Sequence, residues 1–107
     1  MHDIPEIDLD TAQRCQKDGT HLFVDIRDPG SYAAARIPNA VPLSDRNVQQ
    51  FVAETDRKCA LVVYCYHGHS SLDATAYLLD QGFESVQSLR GGFEQWRHHG
   101  PVETSSR

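Results

Sequence analysis

The chain has 107 residues, which suffices for one domain with one continuous hydrophobic core. A net charge of -5, spread along the sequence, disfavours nucleic acid or an anionic membrane as the main partner, because both need a basic patch. The three cysteines form no CxxC pair, the N-terminal stretch has no signal-peptide pattern, and no apolar run reaches the roughly 20 residues that span a bilayer. We therefore expect a cytoplasmic protein without disulfides.

Short apolar runs alternate with helical segments along the chain. The runs cover residues 21–26, 40–43, 60–65 and 85–89. Two of them are nearly continuous in valine, leucine, phenylalanine and isoleucine, which is typical of parallel strands covered on both faces. The alternation predicts one α/β domain over residues 4–102, with a mostly parallel sheet of about five strands and helices on both faces. Residues 103–107 are predicted to form a flexible C-terminal tail.

Capping residues predict where the first helices begin and end. Asp8 or Asp10 can cap the first helix, and Gly19 can end it. Asp28 and Pro29 are suited to open the second helix, as its N-cap and its first turn. Three more helical segments follow, at residues 44–54, 70–82 and 91–101.

The most informative segment is CYHGHS, residues 65–70, which begins at the end of a predicted strand. Ligands of open α/β sheets bind beyond the carboxyl ends of the strands, so Cys65 lies where a site is expected. Gly68 permits a tight turn, and Ser70 or Ser71 can cap the following helix. The backbone N–H groups of such a loop bind anions and lower the pKa of a thiol. The pattern therefore favours Cys65 as a nucleophile.

Cys65 has two other interpretations. A free cysteine at a strand end is often an ordinary buried residue. A metal site would use Cys65, His67 and His69, but these lie within five residues, whereas a tetrahedral site usually takes ligands from separated elements. We expect no metal and no cofactor. His67 either helps to hold an anion or is a solvated loop residue, like His69 at the polar rim. Cys15 and Cys59 are expected to be packing or surface residues.

Two arginines follow other predicted strands. Arg27 lies between Asp25 and Asp28, and Arg90 precedes two glycines. Either arginine can bring positive potential to a site at this edge of the sheet. For Arg27 the alternative is a structural ion pair with Asp25 or another nearby acid.

Three sequence blocks carry a family resemblance: VDIRDPGSYAAARIPNAVPL, VVYCYHGHSS and VQSLRGGFEQW. They resemble, in that order, the upstream strand–helix block, the active-site loop and the terminal Gly-Gly-aromatic-x-x-Trp block of the single-domain rhodaneses, the short bacterial thiosulfate sulfurtransferases. The likeness covers residues 4–102. A lone cysteine loop is a weak signal, and the combination of the three blocks makes the resemblance specific.

The resemblance implies a persulfide mechanism in a rhodanese-like domain. The Cys65 thiolate is expected to attack the outer sulfur of thiosulfate, release sulfite, and pass the sulfur to a thiophilic acceptor. That acceptor is cyanide in an assay, or a dithiol such as thioredoxin in a cell. Substrate contacts are expected from the loop, mainly from its backbone N–H groups, with electrostatic support from Arg27. The loop residues are Tyr66, His67, Gly68, His69, Ser70 and Ser71.

The sequence departs from the family pattern in its upstream block and in its loop. ARIPNA replaces the common Gly-His-Ile-Pro-Gly-Ala, so Ala35, Arg36 and Asn39 stand where two glycines and a histidine are usual. We expect this change to affect local turn geometry or the surface and not the chemistry. The loop also has no arginine or lysine, which predicts weak affinity for thiosulfate.

Two alternative functions stay open. One is a persulfide carrier that relays sulfur to a protein partner through the same cysteine. The other is a cysteine phosphatase or arsenate reductase of a related fold. Those enzymes use an arginine six residues after the cysteine to bind phosphate, and Ser71 at that position disfavours them.

Overall fold

The computed structural model describes residues 4–104. Its strands are β1 (Glu6–Ile7), β2 (Leu22–Asp25), β3 (Val41–Pro42), β4 (Leu61–Tyr64) and β5 (Val86–Leu89). Its helices are α1 (Leu9–Asp18), α2 (Pro29–Ala34), α3 (Val48–Glu54), α4 (Ser70–Asp80) and α5 (Gly92–Trp96). Over the described range the strands form one parallel sheet in the order β1-β5-β4-β2-β3, which confirms the predicted α/β architecture.

The sheet is covered on both faces because successive strand residues point to opposite sides. Phe23 of β2 packs in a cluster with residues of α1 and α5, whereas Val24 packs with residues of α3 and α4. Val62 and Val63 of β4 divide between the same two clusters. All four residues of β4 are buried, which explains why this strand reads as a continuous apolar run.

The position of the site follows from the order of the strands. β2 and β4 are neighbours, but the chain continues from β2 to β3 on one side and from β4 to β5 on the other. A switch of this kind opens a crevice at the carboxyl ends of the two strands, where ligands bind in open α/β sheets. Residues that follow Asp25 and Tyr64, the last residues of β2 and β4, therefore meet at this crevice.

The caps that the sequence predicts for α1 and α2 are present in the structure, and the cap of α4 is described with the site. The Asp8 carboxylate accepts a 2.8 Å hydrogen bond from the Thr11 N–H group, and Asp28 accepts one of 3.1 Å from the Ser31 N–H group. Gly19 ends α1 in the left-handed conformation.

The strand β1 was not predicted, since two residues are too few to show a periodic pattern. None of the helices in residues 4–104 combines the length and apolarity needed to cross a bilayer.

Glu103, the first residue of the predicted C-terminal tail, contacts the segment that follows α2. The backbones of Glu103 and Arg36 form an antiparallel bridge with N···O distances of 2.9 and 2.8 Å. The Glu103 carboxylate also accepts a 3.0 Å hydrogen bond from the Asn39 N–H group and lies 3.4 Å from the Arg36 guanidinium. Residues 105–107 of the predicted tail lie outside the described residues.

The segment ARIPNA keeps the chain path without its usual glycines. Asn39 has a φ of 67°, in the left-handed region that asparagine tolerates better than most residues. Ala35 has a φ of -168°, an extended conformation that needs no glycine. The Arg36 guanidinium lies 4.6 Å from the centre of the Tyr32 ring. The backbone of this segment therefore accommodates the residues that stand in place of the usual glycines.

We predict that Glu103→Ala lowers the free energy of unfolding by about 1 kcal/mol, because it leaves the Asn39 N–H group without its charged acceptor. Urea denaturation measures the change. Glu6→Ala is the matched control, since among the described residues its carboxylate is paired with the exposed Arg90 at 3.4 Å, and its effect should stay below about 0.5 kcal/mol. Equal losses in the two variants would contradict the anchoring role of Glu103.

Candidate active site

The sulfur of Cys65 is surrounded by hydrogen-bond donors of its own loop. Cys65 directly follows β4 and is only 7% exposed. The Gly68 N–H group donates to its Sγ atom at 3.1 Å, and the Ser71 N–H group does so at 3.4 Å. The Ser71 hydroxyl lies 3.4 Å from the same sulfur. Two N–H donors and one hydroxyl group from one short segment thus lie around one atom.

The donors change the acidity of the thiol. Burial of Cys65 raises its pKa, but the hydrogen bonds from the Ser71 hydroxyl and from the N–H groups of Ser71, Gly68 and His67 outweigh the burial. The net result is a thiol pKa below its ordinary value. The N-terminus of the 11-residue helix α4 faces the sulfur and adds the favourable end of its dipole. The loop can therefore hold a sulfur anion.

The prediction that Ser70 or Ser71 caps α4 is wrong. The helix begins at Ser70, and its N-cap is His69, which makes no side-chain cap hydrogen bond. The Ser71 side chain is buried and turned toward the sulfur. A serine cap would occupy one of the first N–H groups of the helix. The N–H group of Ser71 donates to the sulfur of Cys65 instead.

The Gly91–Gly92 segment after β5 fixes the backbone of the loop. The Phe93 N–H group donates to the Cys65 carbonyl at 2.9 Å, and the Glu94 N–H group donates to the Tyr66 carbonyl at 2.9 Å. Gly92 has a φ of 61°, and a Cβ atom there would lie 2.5 Å from the Tyr66 oxygen and 2.7 Å from the Cys65 oxygen. Only glycine fits this close approach.

A pocket of about 470 Å³ opens beside Cys65 at the carboxyl ends of β2 and β4. Its lining residues are Ile26, Arg27, Asp28, Ser31, Cys65, Tyr66 and Ser70. Tyr66 is 39% exposed, the Glu94 carboxylate raises the pKa of its phenol, and the phenol lowers the pKa of that carboxyl. The Tyr66 side chain thus lines the pocket and is partly open to solvent.

Arg27 reaches this pocket but is committed to a buried ion pair. Its guanidinium lies 2.7 Å from the Asp25 carboxylate and donates to the Ala35 carbonyl at 2.6 Å. It also stacks 4.2 Å from the centre of the Phe93 ring, and its side chain is 6% exposed. Burial lowers the pKa of Arg27, but the hydrogen bonds and charge of Asp25 outweigh it, so the pKa is raised. Arg27 therefore forms a structural ion pair with Asp25 and also lines the pocket.

The other candidate residues, His67, His69 and Arg90, are not among the residues that line this pocket. His67 and His69 are exposed, and Arg90 is 64% exposed in its side chain, with Glu6 as its partner at 3.4 Å. Arg90 lines a different pocket, beside Asp8. In the described part of the chain no three histidine, cysteine, aspartate or glutamate side chains come together as metal ligands.

Cys15 and Cys59 are half-buried free thiols that pack at the edges of the two core clusters. This agrees with the prediction that they are packing or surface residues. Cys65 differs from both of them by its burial and by the hydrogen-bond donors at its sulfur.

A larger cavity of about 720 Å³ lies between α3 and α4. It is lined by Leu43, Val48 and Tyr77, and it shares Ile26 with the pocket beside Cys65. No cysteine or histidine is among its described lining residues. The smaller pocket, which contains the acidic thiol, is therefore the candidate active site.

Two residues of the site were not predicted from the sequence. Ser88 of β5 is fully buried, and its Oγ atom lies 2.7 Å from that of Ser71. The sequence offered little signal for Ser88, because SVQSL also contains the polar residues Ser85 and Gln87. Gly92 stood within the family block, but the block does not show that it touches the cysteine loop, because that contact joins segments distant in sequence.

Fold and site together define a class of protein, namely a parallel α/β domain that holds a cysteine of lowered pKa in an amide-lined loop. A family model described as Rhodanese-like domain matches residues 8–99. The protein named thiosulfate sulfurtransferase GlpE from Pseudomonas syringae is 43% identical over 104 residues, which is 97% of each chain. The protein of the same name from Stutzerimonas stutzeri is 45% identical over 103 residues, 96% of this chain and 94% of its own.

Solved structures show the same architecture. The rhodanese-like domain of an Anabaena sp. protein aligns with a TM-score of 0.84 at 24% identity, and the alignment covers 95% of this chain and 80% of that one. A protein from Lactobacillus plantarum aligns with a TM-score of 0.77 at 28% identity, covering 92% and 87%. This chain belongs to the rhodanese-like domain family.

We predict that Gly92→Ala displaces the cysteine loop and slows alkylation of Cys65 by iodoacetamide at least about tenfold, because the new methyl group overlaps two loop carbonyls. Gly19→Ala is the matched control, since Gly19 also has a positive φ, of 70°, but has open space around it. The control should lose about 1 kcal/mol of stability and keep the reactivity of Cys65. A Gly92→Ala protein that is folded and reacts at the normal rate would contradict the close packing.

We predict that Cys65 is alkylated with a pH midpoint below about 8.5, the ordinary value for cysteine, because only the thiolate reacts and its pKa is lowered. Cys59 supplies an internal comparison, since burial and the charge of Asp56 raise its pKa. Alkylation over a pH series, resolved by peptide mass spectrometry, measures both midpoints. A Cys65 midpoint at or above that of Cys59 would rule out the stabilised thiolate.

Proposed function

We propose that this protein is a thiosulfate sulfurtransferase in which Cys65 carries the transferred sulfur as a persulfide. The observation that carries the proposal is the convergence of two backbone N–H groups and the Ser71 hydroxyl on the Cys65 sulfur. Membership of the rhodanese-like domain family and relatives named thiosulfate sulfurtransferase support it. The donors suit a nucleophile that is an anion both before and after it accepts sulfur.

In the first half-reaction the Cys65 thiolate attacks the outer sulfur of thiosulfate. A bond forms between the Cys65 sulfur and that outer sulfur, the sulfur–sulfur bond of thiosulfate breaks, and sulfite leaves with the electron pair. Three negative charges are present before and after the step, so no proton is needed. The loop N–H groups that stabilise the thiolate also stabilise the persulfide anion.

In the second half-reaction an acceptor removes the outer sulfur and regenerates the thiolate. Cyanide attacks that sulfur, the bond to Cys65 breaks, and thiocyanate leaves. A thiol can attack the same atom and take the sulfur as its own persulfide. We propose a dithiol protein of the thioredoxin type as the cellular acceptor and the reducing cytoplasm as the location, because the three free thiols suit that compartment.

The electrostatics of the pocket favour modest affinity for the thiosulfate dianion. The charge of Arg27 is largely compensated by Asp25, and the Asp28 carboxylate lines the same pocket. Binding then depends on backbone N–H groups and on the N-terminus of α4. The phosphatase alternative lacks support, because the position of its arginine is held by the buried Ser71.

We predict that incubation with thiosulfate adds about 32 Da, one sulfur atom, to the peptide that contains Cys65. Subsequent cyanide should remove the added mass and produce thiocyanate in equal amount. Intact-protein and peptide mass spectrometry follow both steps. Cys65→Ser should abolish the adduct, because the nucleophile is lost.

Cys15→Ser and Cys59→Ser are the matched controls, and each should form the adduct at nearly the normal rate, because both thiols lie outside the pocket. An adduct that persists in Cys65→Ser, or none in the natural protein, would refute the mechanism. An adduct that reacts with protein dithiols but not with cyanide would favour the relay function instead.

A further inference from the structure

The Ser71 hydroxyl does not act alone, because a second buried hydroxyl is bonded to it. Ser71 and Ser88 are both fully buried, on α4 and β5, and their Oγ atoms lie 2.7 Å apart. On its other side the Ser71 hydroxyl lies 3.4 Å from the Cys65 sulfur. The three side chains form a chain from the sheet interior to the sulfur.

The direction of this chain follows from counting protons. Each hydroxyl has one hydrogen to donate. Among the described residues the Ser88 hydroxyl has one hydrogen-bond partner, Ser71. If Ser71 donated to Ser88, the buried hydrogen of Ser88 would have no acceptor, which is unfavourable. The satisfied arrangement is therefore Ser88 donating to Ser71.

This direction leaves the Ser71 hydrogen for the sulfur. A thiolate accepts it, and every hydroxyl in the chain is then satisfied. A protonated thiol can donate to the second lone pair of the Ser71 oxygen, but the Ser71 hydrogen is then left with only the weakly accepting thiol sulfur, so the thiolate is the better-satisfied form. Hydrogen bonds in such a chain also polarise one another, so that donation from Ser88 strengthens donation from Ser71.

We propose that Ser88 is a positioning residue, which orients the Ser71 hydroxyl toward Cys65 and thereby favours the thiolate over the thiol. This rests on the proposed function only in that the thiolate is the form that accepts sulfur. Ser88 itself touches neither the pocket nor the sulfur and acts through Ser71 alone.

The other charged and titratable groups near Cys65 are the same in all the variants that are compared. Arg27 and Asp28, which follow β2, line the pocket with Cys65. His67 and His69 lie exposed on the same loop, Asp73 lies in the first turn of α4, and Glu94 of α5 raises the pKa of the Tyr66 phenol. None of these side chains is hydrogen-bonded to Ser71 or Ser88 in the described part of the protein.

The test is a double-mutant cycle on the pKa of the Cys65 thiol. Peptide-resolved alkylation with iodoacetamide over a pH series gives this pKa for the natural protein, Ser71→Ala, Ser88→Ala and the double variant. We expect Ser71→Ala to raise the pKa by about 1 and Ser88→Ala to raise it by about 0.5. The double variant should match Ser71→Ala, because Ser88 has no route to the sulfur without Ser71.

Thr75→Ala is the matched control. Its hydroxyl is also buried and also contacts Ser71, but it donates to the backbone carbonyl at 2.7 Å and not to the side chain. This variant should lose stability and leave the pKa of Cys65 unchanged, which separates orientation of the hydroxyl from general packing.

Two results would overturn the proposal. One is an unchanged pKa of Cys65 in a folded Ser88→Ala protein. The other is that Ser88→Ala raises the pKa of Cys65 equally in the natural protein and in the Ser71→Ala protein. The alkylation profile is measured without thiosulfate, so its outcome does not depend on whether the protein transfers sulfur. The mass adduct on Cys65 tests that activity separately.

Discussion

The site depends on the balance between two energies: the cost of burying a sulfur anion and the stabilisation that the hydrogen-bond donors around it provide. Cys65 is almost entirely removed from water, and burial alone would raise the pKa of its thiol. The N–H groups of Gly68 and Ser71 and the Ser71 hydroxyl replace the lost water and reverse that effect. Since these donors are fixed before any substrate arrives, little reorganisation is needed during the reaction.

The remaining fold serves to hold those donors in place. β5 contributes twice, with Ser88 beneath Ser71 and with Gly91–Gly92 directly after the strand. The first contact reaches the sulfur through side chains, and the second fixes the loop through backbone hydrogen bonds. The cysteine loop and the terminal block, which resemble separate parts of the family pattern, therefore pack against each other beside the central strand β4.

The charge distribution explains how a loop without basic residues can still bind an anion. Arg27 is the basic residue among the described residues that line the pocket. Its charge is paired with Asp25, and its guanidinium stacks on the ring of Phe93. What remains is a set of weak, oriented dipoles. Such dipoles stabilise a single charge on sulfur well, and they hold a dianion less firmly than paired arginines do.

Local sequence determined much of this protein. The apolar runs, the caps Asp8 and Asp28, and the position of Cys65 after a strand all report interactions between near neighbours, which composition and spacing reveal. The family blocks then indicated the chemistry. Tertiary structure decided the rest: the strand β1, the anchoring of Glu103, the inward turn of Ser71, the support from Ser88, and the commitment of Arg27 to Asp25. The Ser71 and Arg27 contacts join near neighbours and depend on burial, whereas each of the others depends on where a distant segment packs. No local pattern encodes a partner tens of residues away.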